Sequence, residues 1–199
     1  LAVIPMLEAS LSGPVVEGVR VAQHDDLEWV AERPLYERIR FTGIAYPRFS
    51  HGPQQPVIGL QDYIDLPPGH NPRTLAWAAA LRRDARYAQA NGTTLAQVLM
   101  SHIRTGGYGY TLTPGLYGEQ DPRSAIDEFW LDRRLGFCEH YAAAFVVVMR
   151  ALGVPARVVT GYQGLDPTPV DGYRIVRQSY AHAWAEYWQA DVGWVRADP

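Results

Sequence analysis

Apolar and polar residues follow two different periods along the chain, and the period changes near residue 65. Before that point apolar and polar residues alternate, as in strands that are buried on one face. The alternation predicts four short strands, over residues 1–7, 15–24, 27–31 and 35–46. We therefore expect a β-rich unit over residues 1–65, as part of a larger truncated β domain, and a separate core over residues 66–199.

Residues 51–72 are rich in proline and glycine. This composition predicts an extended linker with one strand-like stretch at residues 62–64. After it, Asn71 and the following proline predict the start of a helix that runs to about residue 90. A second helix follows, with Thr93 or Thr94 as its N-cap.

A longer apolar segment, residues 138–152, is bounded by Gly136 in front and by a glycine and a proline behind, which are residues that commonly flank helices. Its largest apolar side chains fall on one stripe at a helical spacing. The valine run at 146–148 favours a strand, but the length of about 15 residues and three successive alanines favour a helix. The pattern predicts a buried helix with Cys138 in its first turn.

A strand and its return are predicted near the end of the chain. From residue 180 to residue 188, small or apolar residues alternate with larger ones, which places His182 on a strand. Residues 189–193 are short enough for a hairpin loop. The return strand then brings Asp198 within about two residues of the position opposite His182, close enough for a hydrogen bond between imidazole and carboxylate.

Cys138, His182 and Asp198 are the residue types that thiol-dependent acyl transfer needs: a nucleophile, a base and a group that orients the base. In the first turn of a helix, unpaired backbone N–H groups and the positive end of the helix dipole stabilise a thiolate. The Cys138 N–H is also a candidate donor to the oxyanion that forms when a carbonyl is attacked. Each residue alone has an ordinary structural explanation, since a free cysteine is commonly a small buried residue. Their joint placement favours the chemistry.

Two further residues are candidates for binding the substrate, and one metal site can be tested by geometry. Gln178 is a candidate side-chain donor to the oxyanion. The alternative is that Gln178 is simply a polar residue at the edge of a hairpin. Trp184 is a candidate for lining an acyl groove, although an aromatic residue on a strand is commonly part of the core. A zinc site of Cys138, His140 and His182 is excluded if the cysteine segment is helical, because residues i and i+2 of a helix point about 200° apart.

Four motifs in order are similar to the core of the bacterial transglutaminase-like superfamily: residues 136–142 (GFCEHYA), 155–162 (PARVVTGY), 181–186 (AHAWAE) and 193–199 (GWVRADP). The resemblance covers roughly residues 70–199. It implies an α+β fold with a papain-like core, in which a helix bearing the cysteine packs on an antiparallel sheet bearing the histidine and the aspartate, beside a small N-terminal β unit. In such a core Cys138, His182 and Asp198 form a catalytic triad.

The resemblance also implies an activity, that of a protein-glutamine gamma-glutamyltransferase, or transglutaminase. Such an enzyme forms a thioester on its cysteine and passes the acyl group to a primary amine, for example a lysine or a cell-wall amine. The expected partners are a protein or peptide that carries glutamine and an amine acceptor; no cofactor is implied. The implied location is the extracytoplasmic, periplasmic side of a bacterial membrane, with the full-length protein membrane-anchored. Two alternatives stay open: a thiol peptidase or amidase on the same fold, and a non-catalytic scaffold module.

Composition limits the other classes of function. The chain has 199 residues and a net charge of −3, and its basic residues are not clustered as nucleic-acid binding requires. All 18 basic residues are arginines, so the chain offers no lysine ε-amine, and its one cysteine excludes an intrachain disulfide. The longest apolar run, residues 141–149, has about half the length of a membrane span, so we expect the chain as given to be soluble. A start at Leu1 and an end one residue after Asp198 predict a piece of a longer protein.

Overall fold

The computed structural model describes residues 2–24 and 26–199, and the chain divides into two compact units, Leu1–Gly52 and Pro53–Pro199. This boundary lies earlier than the one that the sequence pattern predicted, between residues 65 and 66. Residues 53–65 belong to the second unit because their backbone carbonyls accept hydrogen bonds from it. The indole Nε1 of Trp188 donates to the Pro53 carbonyl at 2.5 Å, and the Asp191 N–H donates to the Gln54 carbonyl at 2.8 Å.

The first unit is built from very short strands. Its described part contains β1 (Val3–Ile4), β2 (Val15–Val16), β3 (Val21–Gln23), β4 (Trp29–Ala31) and β5 (Phe41–Thr42). They form a three-stranded antiparallel sheet in the order β1-β4-β3 and a two-stranded ladder of β2 with β5. A small core of Ile4, Val16, Trp29 and Ala31 holds the unit together. The prediction of β structure is confirmed, but each strand is shorter than predicted, and Leu1 of the first predicted strand lies outside the described residues.

The predicted strand over residues 35–46 is wrong for most of its length. Of these residues, only Phe41–Thr42 form a strand, with an isolated bridge at Tyr46. Leu35, Ile39 and Phe41 still pack against the small core, whereas Tyr36 is 90% exposed. The alternation therefore reflects burial on one side of an extended segment, most of which is not paired in a sheet.

The second unit begins with a 3-10 helix, Ile58–Tyr63, followed by α1 (Pro72–Arg83) and α2 (Gly92–Thr105). The strand-like stretch predicted at residues 62–64 is therefore wrong. The first helix also ends earlier than predicted, because Asp84 is extended. The cap of α2 is Asn91, whose side chain accepts from the Thr94 N–H at 2.9 Å, and not a threonine.

The N-terminus of α1 is capped from another part of the chain. Asn71 adopts a left-handed conformation and accepts from the Ile126 N–H, so it does not cap the helix that follows it. Instead the buried carboxylate of Asp127 accepts from the N–H groups of Arg73 and Thr74, at 3.1 and 2.7 Å. A carboxylate at this end also compensates the helix dipole. Asp127 thereby ties α1 to the segment that leads to the cysteine.

That segment runs through a 3-10 turn (Pro122–Ser124), α3 (Ala125–Asp127) and a π-helical turn (Glu128–Arg133) into a short strand, β7 (Leu135–Gly136). Strand β7 pairs in parallel with β6 (Gly109–Tyr110). The chain then enters α4 (Cys138–Ala151). The structure confirms the predicted helix and its start at Cys138.

An antiparallel sheet packs on α4 in the order β10-β9-β8, with β8 (Ala156–Tyr162), β9 (Ala181–Gln189) and β10 (Gly193–Ala197). Strand β9 has two unlike faces. Ala183, Ala185 and Tyr187 are buried, the last two in the common core with α4, and small side chains there allow the helix to approach closely. The other face carries His182, Trp184 and Glu186. The predicted α+β architecture is confirmed, and no helix in the described residues is long and apolar enough to cross a membrane.

Candidate active site

His182 and Asp198 meet across the hairpin of β9 and β10. The register pairs Ala197 with Ala185, so Asp198 lies opposite Trp184, two residues from the position opposite His182, as predicted. The Nε2 atom of His182 lies 2.8 Å from Oδ1 and 3.0 Å from Oδ2 of Asp198. A carboxylate can only accept, so Nε2 carries the proton that it donates to Asp198. The second ring nitrogen, Nδ1, is then the one available to exchange a proton with a thiol.

Two side chains surround this pair. The Trp184 ring lies beside the His182 ring, with 6.2 Å between centroids and 26° between planes. Trp184 also covers Gly161 on β8, where an added Cβ would lie 2.8 Å from the indole. Trp184 also contacts Arg196, whose guanidinium lies 4.3 Å from the centre of the indole ring. Trp184 thus has both the histidine and the arginine as neighbours.

Arg196 is a site residue that the sequence analysis missed. Its Nη2 donates to Oδ2 of Asp198 at 3.1 Å and to Oε1 of Gln163 at 2.8 Å. One signal for it is present in the sequence, because residues 196 and 198 share a face of the same extended segment. Its contact with Gln163 depends on the pairing of the whole sheet.

Cys138 is the first residue of α4 and is partly exposed. The residue before it, Phe137, has an extended backbone and serves as the N-cap. The Cys138 N–H is one of the first N–H groups of the helix, which have no acceptor within it, so it remains suited to bind an oxyanion. In the described part of the chain, no hydrogen bond joins the thiol to His182. The structure therefore brings His182 and Asp198 together and places Cys138 at the start of the helix that packs on their sheet.

His140 stabilises the start of that helix. The Phe137 N–H donates to Nδ1 of His140 at 3.4 Å, and the two rings meet edge to face at 4.4 Å. Burial lowers the pKa of His140, and the neighbouring Glu139 opposes this effect. Gly136 makes the arrangement possible, because a Cβ there would lie 2.8 Å from the His140 Cβ. His140 therefore has a structural role beside Cys138.

The two predicted substrate-binding residues lie in different surroundings. Gln178 is exposed on a 3-10 turn (Gln178–Tyr180), and its Oε1 accepts from the Tyr162 hydroxyl at 2.9 Å. Its role as an oxyanion donor stays a prediction. Trp184 is half-buried beside His182, and its role in binding an acyl group also stays a prediction.

A metal ion can be held by a group of at least three histidine, cysteine, aspartate or glutamate side chains. Among the described residues, one such group lies close enough together, namely His24, Asp26 and Glu28 on the surface of the first unit.

The family model of the transglutaminase-like superfamily matches residues 76–199. This chain belongs to that superfamily. The protein-glutamine gamma-glutamyltransferase of Pseudomonas aeruginosa is 43% identical over 136 residues, which are 68% of this chain and 19% of that protein. The uncharacterised protein ML0607 of Mycobacterium leprae is 34% identical over 143 residues, which are 72% of this chain and 47% of that protein. The chain therefore spans less than half the length of either relative.

Three solved structures share the fold of this chain. Two crystal structures of the periplasmic domain of TgpA from P. aeruginosa, one of them bound to ethylmercury, match with TM-scores of 0.78 and 0.77 at 31% and 33% identity. They cover 100% and 96% of this chain, and the chain covers 72% and 69% of theirs. A putative cysteine protease from Cytophaga hutchinsonii matches with a TM-score of 0.52 at 13% identity over 100% of this chain and 68% of that one, which shows a common fold alone. The transglutaminase-like fold that the motifs implied is confirmed.

Proposed function

We propose that this chain is the catalytic domain of a transglutaminase, a cysteine acyltransferase that acts on protein glutamine through Cys138, His182 and Asp198. The observation that carries the proposal is the hydrogen bond from His182 Nε2 to Asp198, made on a sheet that packs against the helix starting at Cys138. Membership in the superfamily and 43% identity to a protein-glutamine gamma-glutamyltransferase support it.

The first half of the reaction forms a thioester. The Cys138 thiol gives its proton to Nδ1 of His182, and the thiolate attacks the carboxamide carbon of a glutamine side chain. The resulting oxyanion accepts from the Cys138 N–H. The carbon–nitrogen bond then breaks, His182 returns the proton to the departing nitrogen, and ammonia leaves.

The second half transfers the acyl group to a primary amine. The amine attacks the thioester carbon, His182 takes a proton from the amine, and the carbon–sulfur bond breaks to regenerate the thiolate. The product is an isopeptide bond. Asp198 acts throughout by fixing the proton on Nε2 and stabilising the imidazolium that forms transiently in each half of the reaction. With water in place of the amine, the same steps give deamidation.

The proposed setting is the extracytoplasmic side of a bacterial membrane, with the domain as part of a longer, membrane-anchored protein. The likeness to the periplasmic domain of TgpA supports this location. The proposed substrates are proteins that carry a reactive glutamine, with a lysine or a cell-wall amine as acceptor. Because the chain contains no lysine, its own side chains cannot serve as acyl acceptors.

The test is incorporation of a fluorescent primary amine into a glutamine-containing protein, with ammonia release followed in the same samples. We expect both signals in the wild type and neither in Cys138→Ala. Ser101→Ala, an exposed position on α2, is the matched control and should retain both. Ammonia without amine incorporation would replace the transferase with an amidohydrolase. Amine incorporation that survives in Cys138→Ala would refute the proposed nucleophile.

A further inference from the structure

Arg196 lies two residues before Asp198 on the same side of the chain, and it contacts three neighbours. Its Nη2 donates to Asp198 at 3.1 Å and to Gln163 at 2.8 Å, and its guanidinium lies 4.3 Å from the centre of the Trp184 ring. These contacts hold the side chain in one place although 45% of it is exposed. A network of contacts of this kind restrains an exposed side chain more than an isolated surface ion pair does.

The contact with Gln163 connects the two outer strands of the sheet. Gln163 follows β8 directly, and its N–H donates to the Tyr180 carbonyl at 2.9 Å, just before β9 begins. The bond from Arg196 to Gln163 therefore joins the end of β10 to the end of β8, past the strand that carries His182. Arg196 is anchored independently of Asp198.

Asp198 needs such an anchor because of its place in the chain. The last residue of β10 in the ladder is Ala197, so Asp198 lies beyond the paired part of the sheet. Its side chain is 30% exposed, and water competes there for the carboxylate oxygens. A donor fixed at 3.1 Å from Oδ2 limits the rotation of the carboxylate about its own axis.

We propose that Arg196 is a positioning residue for thiol chemistry at Cys138, a proposal that rests on the proposed function. Arg196 holds the Asp198 carboxylate in the orientation that accepts from His182 Nε2, which keeps Nδ1 available for the thiol proton. It acts through Asp198 and touches no reacting atom. Because a single nitrogen makes both hydrogen bonds, a lysine ammonium can make them too. Methionine, similar in length but apolar, cannot.

The test compares Arg196→Met with Arg196→Lys, each with and without Asp198→Ala. Two assays are used. One gives kcat and KM of amine incorporation, and the other gives the rate at which iodoacetamide alkylates Cys138 at neutral pH, which needs no substrate. Arg196→Met should lower kcat about fivefold, as expected for loss of a contact of this kind, and leave KM within about twofold. Alkylation should slow by a similar factor. Arg83→Met, at the exposed end of α1, is the control and should change neither.

Two further results separate positioning from a general structural effect. Arg196→Lys should restore most of the rate, and Arg196→Met should cause no further loss once Asp198 is alanine. The proposal is overturned if Arg196→Met matches the wild type in both assays, or if it has the same effect with and without Asp198. A wild type that is alkylated rapidly but incorporates no amine would overturn the proposed function alone, and the alkylation rates would still test Arg196.

Discussion

If the proposed function is right, the effect of removing the Asp198 carboxylate on catalysis can be worked out from its contacts. Asp198 accepts from His182 at 2.8 and 3.0 Å and from Arg196 at 3.1 Å. A hydrogen bond to a charged group contributes about 1.5–3 kcal/mol. Since about 1.4 kcal/mol corresponds to a tenfold change in rate, Asp198→Ala should lower kcat/KM for amine incorporation by about 10- to 150-fold. The carboxylate is partly exposed, so the free energy of unfolding should fall by less than about 1 kcal/mol.

Asp198→Asn separates the charge of the carboxylate from its shape. His182 Nε2 and Arg196 are both donors, whereas a carboxamide has one acceptor oxygen and presents an NH2 group to one of them. Its activity should lie between that of the wild type and that of Asp198→Ala. Steady-state amine incorporation and chemical denaturation measure the two effects, with Asp62→Ala at an exposed position as control. An Asp198→Ala variant with the kcat/KM of the wild type would refute the view that this carboxylate orients the base.

Three further predictions concern the scaffold around the site. Gly136→Ala places a methyl group 2.8 Å from a side-chain carbon and should lower the free energy of unfolding by about 1–3 kcal/mol in denaturant titrations, whereas Gly59→Ala, with open space around it, should not. Arg157→Met removes an ion-pair partner that lies 2.8 Å from the buried Glu186 and should lower the free energy of unfolding by about 3 kcal/mol, more than replacing both residues by methionine. Burial, followed by the charge of a nearby arginine, lowers the pKa of His102. As the pH is lowered, His102 is therefore protonated at a higher pH in the unfolded chain than in the folded chain. The unfolding temperature should decrease as the pH is lowered from about 7 to about 5, and His102→Phe should reduce that decrease.

The helix and the hairpin that carry the site were predictable because their signals are local. The segment from Cys138 has helix-flanking residues at both ends, and the face of β9 that packs on α4 is marked by alternating small residues. Once the loop between β9 and β10 is known to be short, the proximity of His182 and Asp198 follows from strand geometry alone. These inferences need no knowledge of distant contacts.

The parts that sequence reasoning missed depend on contacts between distant segments. The N-cap of α1 is formed by Asp127, more than fifty residues away, in place of the asparagine that precedes the helix. Residues 53–65 look like a linker by composition, yet their carbonyls accept from the loop and strand near Trp188. The apolar residues of segment 35–41 recur with the period of a strand, but within this segment only Phe41 is paired with another strand. Local pattern shows which face is buried, and not what covers it.

The register of β9 connects the fold to the chemistry of the site. A shift of one residue in its pairing would turn His182, Trp184 and Glu186 toward α4 and expose the alanines between them. The helix could not then approach the sheet closely, and the Glu186 carboxylate would lose the partner that it has in Arg157. Both costs oppose the shift. The residues that pack against α4 and neutralise Glu186 therefore also set the position of His182 beside Asp198. Substitutions that loosen this sheet should then reduce the proposed activity before they unfold the domain.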